Sequence, residues 1–342
     1  MLQIQCSGTP FEIGHHHGSA AKELIERCIA FYTTLFQDSA KLTWSQVRDV
    51  ATREFEPRIR TNWPAYYEEM RGIAAGAGKQ VSDIIALNVR TEITFGLFSD
   101  GCTALSWREG EASFLAQNWD WMRQQKENLV ILTIEQAGKP TIKTVAEAGM
   151  LAKIGLNSSG VGVCLNAIRA KGMYPSRLPC HLGLRMVLES ESRDEAIAKL
   201  EGFGIASSCH MLVADRTGGI GVEWSHIDVA KLAMNDANQV FHSNHFLLPH
   251  TGVTETVWLE DSRVRIKRVE ELCSKLEGTL CLRSVQSIFT DESNYPYSIC
   301  RAQEQGNHSE TLFNIVMDLT NSAAKVIEGR PTEPEAFYEL SF

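Results

Sequence analysis

From Phe11 to about Gly78 the apolar positions recur at helical spacing, and the flanking residues supply start signals. Ala20-Ala21-Lys22-Glu23-Leu24-Ile25-Glu26 opens one helix, and Thr43-Trp44-Ser45-Gln46 reads as a cap with helix formers behind it. Pro64 starts an amphipathic segment through Tyr67, Met70 and Ile73, and Ser82-Asp83 caps another that reaches Leu87. After Gly101 the pattern changes to short β-branched and apolar runs, Leu129 to Ile134 and Thr141 to Val145, parted by the turn Gly138-Lys139-Pro140. Leu182 to Leu188 and Arg193 to Leu200 return to helix. Strands resume at His210 to Ala214 and Ile220 to Trp224 around Asp215-Arg216-Thr217-Gly218-Gly219. This succession predicts α+β layers behind a mostly helical N-terminal third. No repeat, low-complexity tract or linker interrupts it, so one compact body over 1–342 is expected.

Composition narrows the classes. With 44% hydrophobic and 22% charged residues among 342, the chain is globular rather than disordered or fibrous. The net charge of −9 comes from dispersed residues with no basic stripe, which argues against nucleic acid. The first twenty residues lack an apolar signal region, and no stretch approaches the ~20 apolar residues of a membrane span. Nine scattered cysteines without a C-x-x-C pair fit reduced thiols, so the expectation is a cytoplasmic protein with no metal and no membrane partner. The final Glu339-Leu340-Ser341-Phe342 is not a Ser-Lys-Leu-type peroxisomal address.

Asp100-Gly101-Cys102-Thr103 carries the candidate chemistry. A cut between Gly101 and Cys102 would give Cys102 a free α-amine. Such an amine titrates near pH ~7.7–8.0, so nucleophile and base would reside in one residue. On residue type alone Cys102 reads as a packed thiol and Asp120 and Asn244 as turn formers, and Arg301 has a plain alternative as a structural ion-pair partner. His15-His16-His17 reads as a surface turn, and His242 and His245 as a polar loop. Gly218-Gly219-Ile220-Gly221 is hairpin punctuation rather than a nucleotide loop, and no phosphate cradle is identifiable.

Nine segments in order resemble the isopenicillin N acyltransferase family of N-terminal-nucleophile hydrolases. They are Gly8-Thr9-Pro10-Phe11-Glu12-Ile13-Gly14, Asp100-Gly101-Cys102-Thr103, Gln117-Asn118-Trp119-Asp120, Lys126-Glu127-Asn128-Leu129 and Glu147-Ala148-Gly149, then Asn244-His245, Asn294-Tyr295-Pro296, Ser298-Ile299-Cys300-Arg301 and Thr311-Leu312-Phe313-Asn314. The resemblance spans essentially the whole chain. It implies a four-layer αββα fold and a precursor that cuts itself into residues 1–101 and 102–342, which stay together as a heterodimer. It also implies Cys102 as nucleophile, Asn244 as oxyanion donor, Asp120 and Arg301 as a charged pair shaping the site, and Gly101-Cys102 as the cleavage site. Contacts to substrate are expected from Asp100, Thr103, Trp119, Trp121, Glu147 and Asn166. The implied reaction is exchange of the side chain of isopenicillin N for an acyl group from acyl-CoA, a co-substrate rather than a cofactor, by way of 6-aminopenicillanic acid. The chain departs from peroxisomal members at its last residues, and Trp121-Met122 and Ala104-Leu105 stand where the acyl group would be touched. An amide hydrolase of another N-acyl amino acid or peptide, and an uncleaved non-catalytic relative, are the competing readings.

Overall fold

The computed structural model describes residues 1–94, 101–256 and 260–342. Two sheets face each other. The first runs β1 (Leu2–Ser7), β4 (Leu129–Glu135), β5 (Ile142–Glu147), β6 (Ile154–Asn157), β7 (Gly162–Ala167), β8 (Cys209–Asp215), β9 (Gly218–Trp224) and β10 (Val229–Leu232). The second runs β11 (Gln239–His242), β2 (Gly101–Glu109), β3 (Ala112–Trp121), β12 (Glu310–Asp318), β13 (Ala323–Arg330) and β14 (Glu333–Ser341).

Helices close both outer faces. Over the first sheet lie α1 (Pro10–Ala20), α2 (Lys22–Ala40), α3 (Trp44–Val50), α4 (Glu56–Asn62), α5 (Pro64–Ala77), α6 (Val81–Asn88), α7 (Arg90–Ile93), α8 (Cys180–Leu188) and α9 (Arg193–Phe203). Over the second lie α10 (Glu260–Ser274) and α11 (Leu282–Ile288), which makes four layers, αββα. The main core fills the space between the sheets and under the N-terminal helices, and a smaller one around Leu105, Phe114, Val269 and Phe289 lies under α10 and α11.

The local signals explain most elements. Thr9 and Thr43 each form a capping box, with Glu12 and Gln46 returning a bond to the cap nitrogen. The expected cap at Ser82-Asp83 shifts: Gln80 caps α6 and Asp83 returns the bond, because Asp83 also accepts from the Trp44 indole at 2.8 Å. The helix expected to open at Ala20 is instead two helices meeting at Ala21. His15 to His17 lie within α1 rather than in a surface turn. His17 is buried, pushed down to about 4 by that burial, and its neutral Nε2 accepts from the Gly149 N–H at 3.1 Å. Strand β1 pairs in parallel with β4, so the first residues of the chain are built into a sheet whose other strands all follow Cys102.

Candidate active site

Strand β2 starts at Gly101 and pairs with β3 in the register Gly101 to Asp120, Cys102 to Trp119 and Thr103 to Asn118. Directly opposed residues of an antiparallel pair share a face, and successive residues alternate. Cys102 and Ala104 therefore point between the sheets, with Trp119 and Trp121 in the main core. Gly101, Thr103 and Asp120 point outward, toward α10. The site straddles the strand.

On β2's other edge, β11 places His242 opposite Ala104, which brings Asn244 to the start of β2. The Cys102 N–H donates to Asn244 Oδ1 at 2.9 Å, and Arg265 Nη2 donates to the same oxygen at 2.8 Å. Two converging donors fix which end of the amide is oxygen. The Nδ2 end donates to the Ala167 carbonyl at 3.1 Å, and the Asn244 N–H donates to Ser262 Oγ at 2.7 Å.

The charged groups form one chain on the outward face. Arg265 Nη1 donates to the Cys102 carbonyl at 2.6 Å and to Thr103 Oγ1 at 3.0 Å, while its Nε donates to Asp261 Oδ2 at 3.0 Å. Asp261 also accepts from Arg301, whose Nε lies 3.4 Å from Asp120 Oδ2. Thr311 donates to Asp120 Oδ1 at 2.7 Å. Burial raises the Asp120 carboxyl to about 7, with Arg301 and Arg265 pulling the other way. A Cβ at Gly101 would lie 2.7 Å from Arg301 Nε and 2.8 Å from Asp120 Oδ2, so any larger residue there would push this pair aside.

Two spaces adjoin this point. An outer cleft of about 410 Å³ is lined by Gly101, Trp121, Arg169, Asp261, Arg301 and His308. An inner cavity of about 40 Å³ is lined by Trp119, Trp121, Leu165, Ile168, Arg90 and His181. Trp121 borders both.

The structure thus brings together Gly101, Cys102, Thr103, Trp119, Trp121, Asp120, Arg301 and Asn244. Glu147 sits apart, enclosed by Arg90, Lys153, Tyr32 and Gln125, and borders neither space. Asn166 is buried beside the site, accepting from His210 at 3.0 Å. Asp100 lies outside the described residues. His242 and His245 are buried rather than in a polar loop. His242 Nε2 meets Glu223 at 2.7 Å, and Glu223 also accepts from the Leu247 and Leu248 N–H groups, so the turn carrying Asn244 is held from below. Arg265 and Asp261 escaped the sequence reading, since nothing in the stretch Glu260-Asp261-Ser262-Arg263-Val264-Arg265 distinguishes them from a solvated helix face. Among the described residues no group of three or more His, Cys, Asp and Glu is placed to hold a metal ion, and no helix is long and apolar enough to cross a membrane.

Comparison with known proteins agrees with this architecture. A family profile described as acyl-coenzyme A:6-aminopenicillanic acid acyl-transferase matches residues 107–333. The chain is 42% identical, over its whole length and 96% of the relative, to the 40 kDa form of acyl-coenzyme A:6-aminopenicillanic-acid-acyltransferase from Emericella nidulans. Its fold is similar to that of a conjugated bile acid hydrolase variant from Clostridium perfringens, with a TM-score of 0.50 and 12% identity over 70% of this chain and 92% of that one.

Proposed function

The chain belongs to the acyl-coenzyme A:6-aminopenicillanic acid acyl-transferase family, and from that premise we propose that it is a self-processing N-acyltransferase of the cytoplasm with Cys102 as its nucleophile. The observation that carries the reading is the placement of Cys102. It is the second residue of a strand, its nitrogen rests on a fixed amide, and its side chain is buried in the main core on the face that carries Trp119, which lines the inner cavity.

In the first reaction the Cys102 thiol attacks the Gly101 carbonyl carbon. The carbon–nitrogen bond breaks, the nitrogen takes a proton, and water releases the Gly101 carboxylate from the thioester. Asp120, beside Gly101 and titrating about 7, is suited to hold that proton in passing. Residues 1–101 and 102–342 remain one body, joined by the β1–β4 ladder and the ion pair of Arg90 with Glu147.

In the second reaction the freed α-amine takes the thiol proton, and the sulfur attacks the thioester carbonyl of an acyl-CoA or the side-chain amide of isopenicillin N. Asn244 stabilises the oxyanion, a contribution of roughly 2.7–4 kcal/mol in acyl transfer. The leaving CoA thiol or amine departs with the proton. The amine of 6-aminopenicillanic acid, or water, then attacks the Cys102 thioester and restores the thiol. Trp119 and Trp121 would flank the acyl chain.

Intact mass and N-terminal sequencing of the purified protein test the first half: two chains are expected, the larger starting Cys102-Thr103-Ala104. Acyl-CoA with 6-aminopenicillanic acid tests the second. Cys102→Ala should stay one chain with no turnover, and turnover in that variant would remove Cys102 from the mechanism.

A further inference from the structure

Arg265 is a buried cation that holds the Cys102 carbonyl directly and supports its nitrogen through Asn244. One of its nitrogens holds the Cys102 carbonyl at 2.6 Å and Thr103 Oγ1 at 3.0 Å. Another holds Asn244 Oδ1 at 2.8 Å, the oxygen on which the Cys102 nitrogen rests. A helix residue spanning carbonyl, nitrogen support and neighbouring hydroxyl fixes the geometry of Cys102 more directly than Asp120 or Arg301 does. It also places a positive charge one peptide unit from the nitrogen that would become the α-amine.

We propose that Arg265 is a positioning residue for acyl transfer, which locks the Asn244 amide with its oxygen toward Cys102 and keeps the freed α-amine neutral at working pH. The inference rests on the reading of Cys102 as an N-terminal nucleophile. An ammonium must lose its proton before it can take one from the thiol, and a like charge nearby disfavours the ammonium. The charged and titratable groups around the nitrogen come from four elements. Arg265 and Asp261 lie on α10, Asp120 on β3, Arg301 on the segment before β12, and His245 follows β11. His245 is held down to about 4, chiefly by burial, and is neutral at working pH. Asp261 is shared by the two arginines, and Asp120 leans on Arg301. Arg265 is bonded directly to the Cys102 carbonyl.

The test is the pH profile of kcat/KM for CoA release from hexanoyl-CoA in the presence of 6-aminopenicillanic acid, with intact mass checked for each variant. In the unaltered protein the acidic limb should fall below the ~7.7–8.0 of an ordinary α-amine. Arg265→Gln removes the charge and should move that limb up by about one pH unit. Arg265→Lys keeps the charge but loses the fork, so the limb stays while kcat/KM drops about tenfold. Asp261→Asn removes the neighbouring anion and should move the limb down. An Arg265→Gln limb that coincides with the unaltered one overturns the proposal. If that variant stays uncut, the Asp261→Asn limb decides, and an unmoved limb there overturns it too. A single uncut chain in the unaltered protein would instead overturn the reading of Cys102, so the two failures are distinct.

Discussion

Glu147 and Asp120 are both fully buried, both lie against arginine, and are driven in opposite directions. Burial pushes Glu147 up, but Arg90 and Lys153, with bonds from Tyr32 and Gln125, more than cancel it and hold the carboxyl at about 2. Burial pushes Asp120 up as well, and a 3.4 Å approach to Arg301 with one threonine hydroxyl leaves it at about 7. Two ionic networks of similar composition thus do different work. The first is saturated and joins the helices before Gly101 to the sheet after it, through Tyr32 and Arg90. The second is left undersupplied with donors beside Gly101, which is the condition under which a carboxyl can exchange a proton near neutrality.

The sharpest way to break that contrast is Glu147→Gln. Arg90 and Lys153 would keep their charges in a buried site with no anion, at a cost of about 3–5 kcal/mol. Urea unfolding should show this loss while the folded remainder keeps its acyl transfer. A loss near zero would mean that the network is not structural. Asp120→Asn should do the reverse. Self-cleavage and turnover are expected to fall about 100-fold, the lower end of what a general acid or base contributes. Stability at alkaline pH should hold or rise, because a buried group that resists ionisation is gone. A turnover rate unchanged by that substitution would leave Asp120 with no proton to handle.

How far the chain announced these networks depends on the distance over which each is built. The Thr43 and Gln46 capping box lies within four residues and was legible as such, as was the change from helical to strand spacing at Gly101. Strand β1 also carries a legible alternation, Leu2-Gln3-Ile4-Gln5-Cys6-Ser7. Its buried residues are Ile4 and Cys6, but six residues ahead of a long helical region give no hint of a parallel partner at Val130 to Glu135. Cys102, Asp120, Asn244 and Arg301 were visible through the order of nine motifs, and the structure brings these four together. Arg265 was not, because its worth comes from where α10 lands: the same Glu, Arg and Lys pattern on an exposed helix would be a solvated face. His17 shows the converse, a surface-type run whose third member is turned into the core toward Gly149.

The comparison extends to stability against pH, with opposite signs. Glu147 has a folded value below its unfolded one, so its contribution is present above the ordinary carboxylate range near ~4.3 and is lost as pH falls toward about 2. Asp120 has a folded value above its unfolded one, so the folded state holds the extra proton. Its ionisation penalty grows as pH rises from the unfolded range near ~3.9 to about 7 and is constant beyond that. Melting temperatures should therefore show Asp120→Asn gaining on the unaltered protein between those limits, with the two equal in acid. A difference that is flat with pH would mean that Asp120 titrates in the folded chain as it does in the unfolded one.

The smallest expected effect isolates a single hydroxyl. The pairing of β12 with β3 shifts register between Thr311 and Phe313, so Thr311 stays opposite Asp120 while Phe313 stays opposite Trp119. An extra residue of this kind commonly re-aims a side chain beside a site. Here the Thr311 hydroxyl donates to Asp120 and accepts from the Arg301 N–H at 3.0 Å, tying the pair together. Thr311→Val keeps the shape and removes both bonds, at roughly 1 kcal/mol each way. Asp120 would lose the neutral donor that favours its ionised form, so its carboxyl should titrate higher still. The part of the pH profile that Asp120 controls should then move up, with turnover down less than tenfold. Glu147, with its donors untouched, should show no change in acid stability. If instead the acid stability moved and the pH profile did not, the two networks would be coupled through β3, and the division between a structural and a chemical carboxylate would fail at its weakest bond.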